Sequence, residues 1–327
     1  MRILIIGGTG NISSEVTDLL LKTNHSLTLV SSGKRPVPHG CRHIRADRFN
    51  SHEFENALRD ENPDVVIDFM AFTPGHLKSD YKIFRDRIKQ FIFISSATVY
   101  HKPHLSLPIT EQTPRKNPFW PYAQDKIACE EYLESVHDKD FPVTIVRPSH
   151  TFGNTWIPSP INGCGFTIAQ RILDGKPFVI HDKGESLWTL TASSDFALGL
   201  TGLIGNSNAS GEDFHITSDE RLSWNRIYEE LGAALGTEIK PVHIPSEFIA
   251  KVYPDALGML MGDKRENGVF DNSKIKRFVP DFGCRKDYAT QIRESVNWFL
   301  EKPQRQVSDA GENKLIDSII SAWNSAK

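Results

Sequence analysis

Apolar residues in the first half of the chain fall into short unbroken runs, and most of the runs are separated by stretches with apolar positions three and four apart. The runs at residues 1–6, 27–30, 42–45, 65–69, 91–94 and 143–146 predict strands, most of them apolar enough to be buried on both faces. Helical spacing fills 15–22, 53–59, 77–87 and 122–136. Strand and helix in alternation predict an α/β fold, a doubly wound parallel sheet, over residues 1–150.

Beyond Pro148 the pattern loosens into loops rich in Pro, Gly, Ser and Asn, with His150, Trp156 and Trp188 scattered through them. Residues 151–302 are expected to form a smaller substrate lobe over the carboxyl edge of the sheet, with later segments returning to the sheet. Ser194 and Asp195 are expected to cap a helix at 196–203, and Ser223 one at 224–235. The polar stretch 301–313, holding Pro303 and Gly311, reads as a linker within a terminal unit, 303–327. Leu315, Ile316, Ile319, Ile320 and Trp323 then form one apolar helical stripe, to be buried on its own subunit or in a homodimer.

Composition narrows the function classes. A chain of 327 residues, 39% apolar and 24% charged, can bury a sizeable core, and a net charge of −3 leaves no footprint for nucleic acid or anionic membrane. No apolar run approaches spanning length and the first strand begins at once, so a cytoplasmic protein without a leader is expected. Cys41, Cys129, Cys164 and Cys284 are scattered and read as reduced thiols. Neither they nor the 12 histidines show ligand spacing, so no metal is expected.

The chemistry concentrates at three places. Tyr122 and Lys126 are one helical turn apart, which places an ammonium beside a phenol and is expected to lower the phenol's pKa toward a working acid or base. Gly7-Gly8-Thr9-Gly10-Asn11-Ile12-Ser13 follows the first strand and opens a helix: Gly7 permits the tight turn, Gly10 lets backbone approach a pyrophosphate, and Ser13 stands where a third glycine is usual. The strand at 91–94 ends in Ser95 and Ser96, hydroxyls at the sheet edge where ligands bind.

In order and spacing, Gly7 to Ile12, Ser95-Ser96-Ala97-Thr98-Val99-Tyr100, Tyr122 with Lys126, and Val146-Arg147-Pro148 resemble the extended short-chain dehydrogenase/reductases, the NAD(P)-dependent epimerase/dehydratase group. The resemblance implies a catalytic triad of Ser96, Tyr122 and Lys126, with Lys126 also holding the nicotinamide ribose. It implies cofactor contacts from Gly7, Thr9, Gly10, Asn11 and Ile12, from Asp47 and Arg48 near the adenine, from Phe69, Met70 and Ala71, and from Ser95 and Pro148. At the end of the second strand no acid stands at Ser31, whereas Lys34 and Arg35 follow it, which favours NADP over NAD.

Ser-Ala-Thr-Val-Tyr is similar to the sugar-nucleotide 4-epimerases and lacks the acidic pair of the dehydratases. A nucleotide sugar is therefore the expected substrate, near Thr98 and His150, with Lys264 and Arg265 as candidate diphosphate cations beside a late Asp271-Asn272-Ser273-Lys274 segment. Two departures bear on the substrate side: His101 replaces a glycine, and residues 185–191 lack an arginine. The alternatives are a reductase of a ketone or aldehyde using the same residues, and a binding protein of this fold, non-catalytic or RNA-associated.

Overall fold

A computed structural model describes all residues except Asn162 and Cys164, so the thiol expected at Cys164 lies outside the described residues. The first half alternates as the pattern demands: β1 (Arg2–Ile6), α1 (Ser13–Leu21), β2 (Ser26–Ser31), β3 (Arg42–Arg45), α2 (Ser51–Leu58), β4 (Val65–Asp68), α3 (Pro74–Phe84), β5 (Gln90–Ile94), α4 (Pro121–Val136) and β6 (Val143–Pro148). There follow β7 (His150–Phe152), α5 (Thr167–Leu173), β8 (Phe178–His181), β9 (Leu187–Trp188), β10 (Leu190–Ala192), α6 (Ser193–Leu203), β11 (Asp213–Ile216), β12 (Leu222–Ser223) and α7 (Trp224–Leu235). The chain ends with β13 (Pro241–Ile244), α8 (Ser246–Val252), α9 (Ala256–Met259), α10 (Ser273–Phe278), α11 (Tyr288–Leu300) and α12 (Ala310–Ala326).

The main sheet runs β11-β6-β5-β4-β1-β2-β3, with every neighbouring pair parallel. Strand order reverses between β1 and β4, and a crevice opens beyond their carboxyl ends. Strand periodicity sorts β1 onto two cores: Ile3 and Ile5 pack with α1 and α6 residues such as Val16, Leu20 and Leu200, while Leu4 and Ile6 pack with Phe54, Leu77 and Leu133 of α2, α3 and α4. Each such side chain contributes roughly 1.5–3 kcal/mol by leaving water, so this stretch is held in place from both faces.

A third core lies outside the sheet. Phe152, Trp188, Trp224 and Ile292 meet there with Ile316 and Ile319 of α12. The terminal stripe is thus buried on its own subunit, with Trp323 edge-on to Phe248 at 5.0 Å. The expected linker is shorter than its polarity suggested, because Asp309 accepts the Glu312 N–H and starts α12 inside it.

Two other boundaries differ. The helix expected at 77–87 stops at Phe84, and Asp86 is left-handed at φ 65°. Ser223 caps α7 through the Arg226 N–H as expected, but α6 has no side-chain cap. Asp195 instead accepts the Arg285 and Lys286 N–H groups at 3.0 and 3.1 Å, tying α6 to the segment before α11.

Candidate functional site

The crevice begins with the turn between β1 and α1. Gly7 has φ +85°, and a Cβ there would stand 2.4 Å from Met70 Cγ, so the turn requires glycine. Close packing of helix on strand falls to Gly8, where a Cβ would meet Leu29 Cδ2 at 2.6 Å. Ser13 does more than fit: its hydroxyl donates to Gly7 O at 2.5 Å and accepts the Gly10 N–H at 2.8 Å, fixing the loop. α1 has no side-chain cap, which leaves its amino end to an anion.

This loop lines a groove of about 450 Å³ together with Ser31, Lys34, Arg35, Asp47 and Met70. Arg35 reaches across it and donates to Thr9 O at 2.9 Å. Ser31 Oγ meets His43 at 3.0 Å, and Asp47 accepts the Phe49 N–H at 3.0 Å. The Met70 and Ala71 amides turn to Asp68 at 2.5 and 3.0 Å, and Phe69, beside them, packs against the core under α1. Asn11 spans outward, donating to Thr151 O and accepting the Gly153 N–H, both at 3.1 Å, so it joins the glycine loop to β7 and the residue after it.

Phe49 had escaped the sequence reading. It borders the groove with 61% of its surface exposed and lies nearly parallel to Phe72, an apolar plate at the groove mouth. A large apolar residue in the polar run after Asp47 was the available signal.

Beyond the groove, α4 starts at Pro121 and carries Tyr122, Lys126 and Glu130 on one face. The Tyr122 phenol and the Ser96 hydroxyl line the same cavity, with Ser96 near enough to favour the ionised phenol. Ser96 is itself fixed, accepting the Thr98 N–H at 3.2 Å and the Thr98 hydroxyl at 2.9 Å. Lys126 is buried and donates to Ala71 O and Ile94 O, both at 2.8 Å, with Phe93 and Phe72 at 4.7 and 5.1 Å. Burial pushes the Lys126 ammonium down to about 8.

The expected lowering of the phenol is not what the protein alone provides. Burial holds Tyr122 above its ordinary value, with the neighbouring Ser96 hydroxyl working the other way. Lys126 points at two carbonyls, which limits what its charge does for the ring 6.0 Å away.

Four other residues stand elsewhere than the motifs suggested. Ser95 turns from the crevice and donates to Glu130 at 2.5 Å, because successive strand residues face opposite sides. Glu130 also takes two bonds from Arg147, at 2.9 and 2.7 Å, and one from Arg115 at 2.9 Å, so this carboxylate ties α4 to β5 and β6. Arg48 borders the groove, but its guanidinium is buried on Asp68 and Asp80 over Phe54. Lys264 is buried against Trp224 and Trp188 with its ammonium on Ser159 O at 2.6 Å, and Arg265 pairs on the surface with Glu247.

Tyr122, Ser96 and Thr98 open on a cavity of about 300 Å³, the small end of the range for ligand pockets. Ile12 and Pro148 stand where it meets the dinucleotide side, and His150 lies in its wall between Trp156 and Trp188, at ring distances of 4.4 and 4.6 Å. Lys102, His104, Trp120 and Asp263 also line it and carry no motif by which sequence could have found them, and Phe270 joins them from the start of the late family-like segment. Phe270 reaches the cavity, but Asp271, Ser273 and Lys274 border a separate surface groove. Among the described residues no cluster of His, Cys, Asp and Glu is placed to hold a metal ion, and no helix is long and apolar enough to cross a membrane.

Residues 3–217 match the sequence model of the NAD dependent epimerase/dehydratase family. The chain belongs to this family. Members are extended short-chain dehydrogenase/reductase enzymes, and the glycine loop, the uncapped α1 and the groove fit the NAD(P) they use. A 2′-dehydrokanamycin reductase of Streptomyces kanamyceticus is 27% identical over 95% of this chain and 87% of its own. A chloroplast stem-loop binding protein of Arabidopsis thaliana is 25% identical over 76% of this chain and 67% of its own. Among solved structures, UDP-glucuronic acid 4-epimerase from Bacillus cereus, in complex with UDP-glucuronic acid and NAD, superposes with a TM-score of 0.73. It is 19% identical and matches 92% of this chain and 99% of its own.

Proposed function

We propose that this family member is an NADP(H)-dependent reductase of a carbonyl on a small hydroxylated substrate. The observation that carries the reading is the cation placement: Lys264 and Arg265, the candidates for gripping a nucleotide diphosphate, are committed to Ser159 and Glu247. The reacting groups meanwhile face a small, aromatic-walled cavity. The extent of the match to the 2′-dehydrokanamycin reductase supports the same class.

The bound dinucleotide would supply hydride from its nicotinamide, held in the groove by the glycine loop, and Lys34 and Arg35 of the groove lining are the cations that would take a 2′-phosphate. Tyr122 would donate its phenolic proton to the carbonyl oxygen as hydride arrives, and a phenol kept protonated by burial suits that direction. Ser96 would orient the same oxygen, while Lys126 fixes the turn of α4 against β5 and the loop after β4 through its two carbonyl bonds.

Keto forms of methyl glycosides should consume one NADPH per product, followed by nicotinamide absorbance. Conversion of a UDP-hexose to its stereoisomer without net cofactor change would instead favour the second reading, a sugar-nucleotide epimerase using Ser96, Tyr122 and Lys126. That reading draws on the run from Ser96 to Tyr100 and on the shared fold. The net charge of −3 speaks against RNA binding as the main activity.

A further inference from the structure

The cavity wall that completes the Tyr122 pocket is built from groups that the hydride chemistry does not use. Asp263 projects from the π-helical turn Leu260–Lys264, a widened turn of the kind that redirects a side chain. Its carboxyl group borders the cavity close to Trp188, which lines it as well. Burial pushes the Asp263 carboxyl above its ordinary value while Lys102 and Lys264 nearby work the other way, and neither lysine closes an ion pair with it among the described residues.

Beside it, Lys102 donates to His104 Nε2 at 2.9 Å. That bond puts the imidazole proton on Nδ1, which is buried with no partner in the protein. His150 Nε2 is likewise buried and unpartnered. Polar atoms in this state are rare in folded proteins, and two of the eight found among the described residues line this one small cavity. The Trp156 and Trp188 rings flank His150.

A carboxylate and free imidazole nitrogens beside indole plates match a pyranose ring, apolar on its C–H faces and dense in hydroxyls around its rim. They match a diphosphate poorly, since Asp263 would repel it and the Lys102 ammonium is engaged by His104. We propose that this wall is a saccharide subsite in which Asp263 accepts hydrogen bonds from two neighbouring ring hydroxyls while His104 and His150 engage others. The inference rests on the carbonyl-reduction reading and names its substrate as a sugar ring that needs no phosphate.

The test is calorimetry on the full chain, with and without NADP, using methyl glycosides of glucose, galactose and mannose as probes, and UDP-glucose. At least one methyl glycoside should bind, and Asp263→Asn should weaken it by about tenfold or more while NADPH affinity stays unchanged. His104→Phe, a milder change, should weaken the same glycoside several-fold and covers the case in which Asp263→Asn fails to fold. Failure of all three glycosides to bind, binding of UDP-glucose alone, or an Asp263→Asn affinity within about twofold of the parent would overturn the subsite. The two readings separate cleanly. Glycoside binding with no nicotinamide consumed on any keto glycoside removes the reductase reading and keeps the subsite, whereas NADPH-driven reduction of a non-sugar ketone without glycoside binding does the reverse.

Discussion

The two halves of the crevice are made in different ways. On the dinucleotide side the phosphate-facing surface is backbone: a glycine turn and an uncapped helix end, both drawn from residues 7–13. On the substrate side the surface is side chains gathered from the loop after β5, α4, β6, β7, β9 and the turn after α9. A backbone surface constrains a few residues to be glycine or small and leaves a motif. A side-chain surface assembled from six places leaves none, and it is where relatives with a common fold can differ in substrate.

The sharpest break of this comparison is at its centre. Tyr122→Phe should reduce turnover by about 10²–10⁴-fold and leave NADPH affinity nearly unchanged, since the phenol acts on the substrate side only. Steady-state rates with calorimetry of the dinucleotide would check it; near-normal turnover would remove Tyr122 from the chemistry.

A second effect spans the sheet and the substrate lobe, because each buries a histidine whose pKa is pushed down. Burial pushes His181, in the substrate lobe, and His215, on the sheet, down to about 4. The unfolded chain takes up protons at these residues from about pH 6.5, so their contribution to stability is complete above that value and is lost as pH falls toward 4. The expected decline is on the order of 2–3 kcal/mol for each histidine. Urea midpoints measured from neutrality downward should fall across that window, and His181→Phe should flatten the slope; an unchanged slope would mean that His181 is not the titrating group.

On the dinucleotide side, Lys34→Ala with Arg35→Ala should narrow the preference for NADPH over NADH by about tenfold, the value of a charge-assisted contact or two. Equal or tighter NADH binding by the unaltered protein would end the NADP assignment. The smallest effect is expected at Arg265→Ala, which removes only a surface pair: stability should change by less than about 0.5 kcal/mol and turnover should not change. A selective loss of UDP-sugar affinity in that variant would restore a diphosphate site and, with it, the epimerase reading.

Sequence by itself determined the alternation of strand and helix, the strand-turn-helix at Gly7 and the one-turn spacing of Tyr122 and Lys126, because each depends on residues within a few positions of one another. It also announced the apolar stripe of α12, although the choice between its own subunit and a partner needed the third core to be seen. Tertiary structure alone decided the rest. Strand alternation turned Ser95 to Glu130 while its neighbour faced the phenol; burial, not spacing, set the Tyr122 and Lys126 protonation; and packing removed Lys264 from the crevice while bringing Asp263, its neighbour in sequence, to the cavity wall. The direction of a side chain depends here on contacts 32 to 105 residues away, and local pattern carries no record of those.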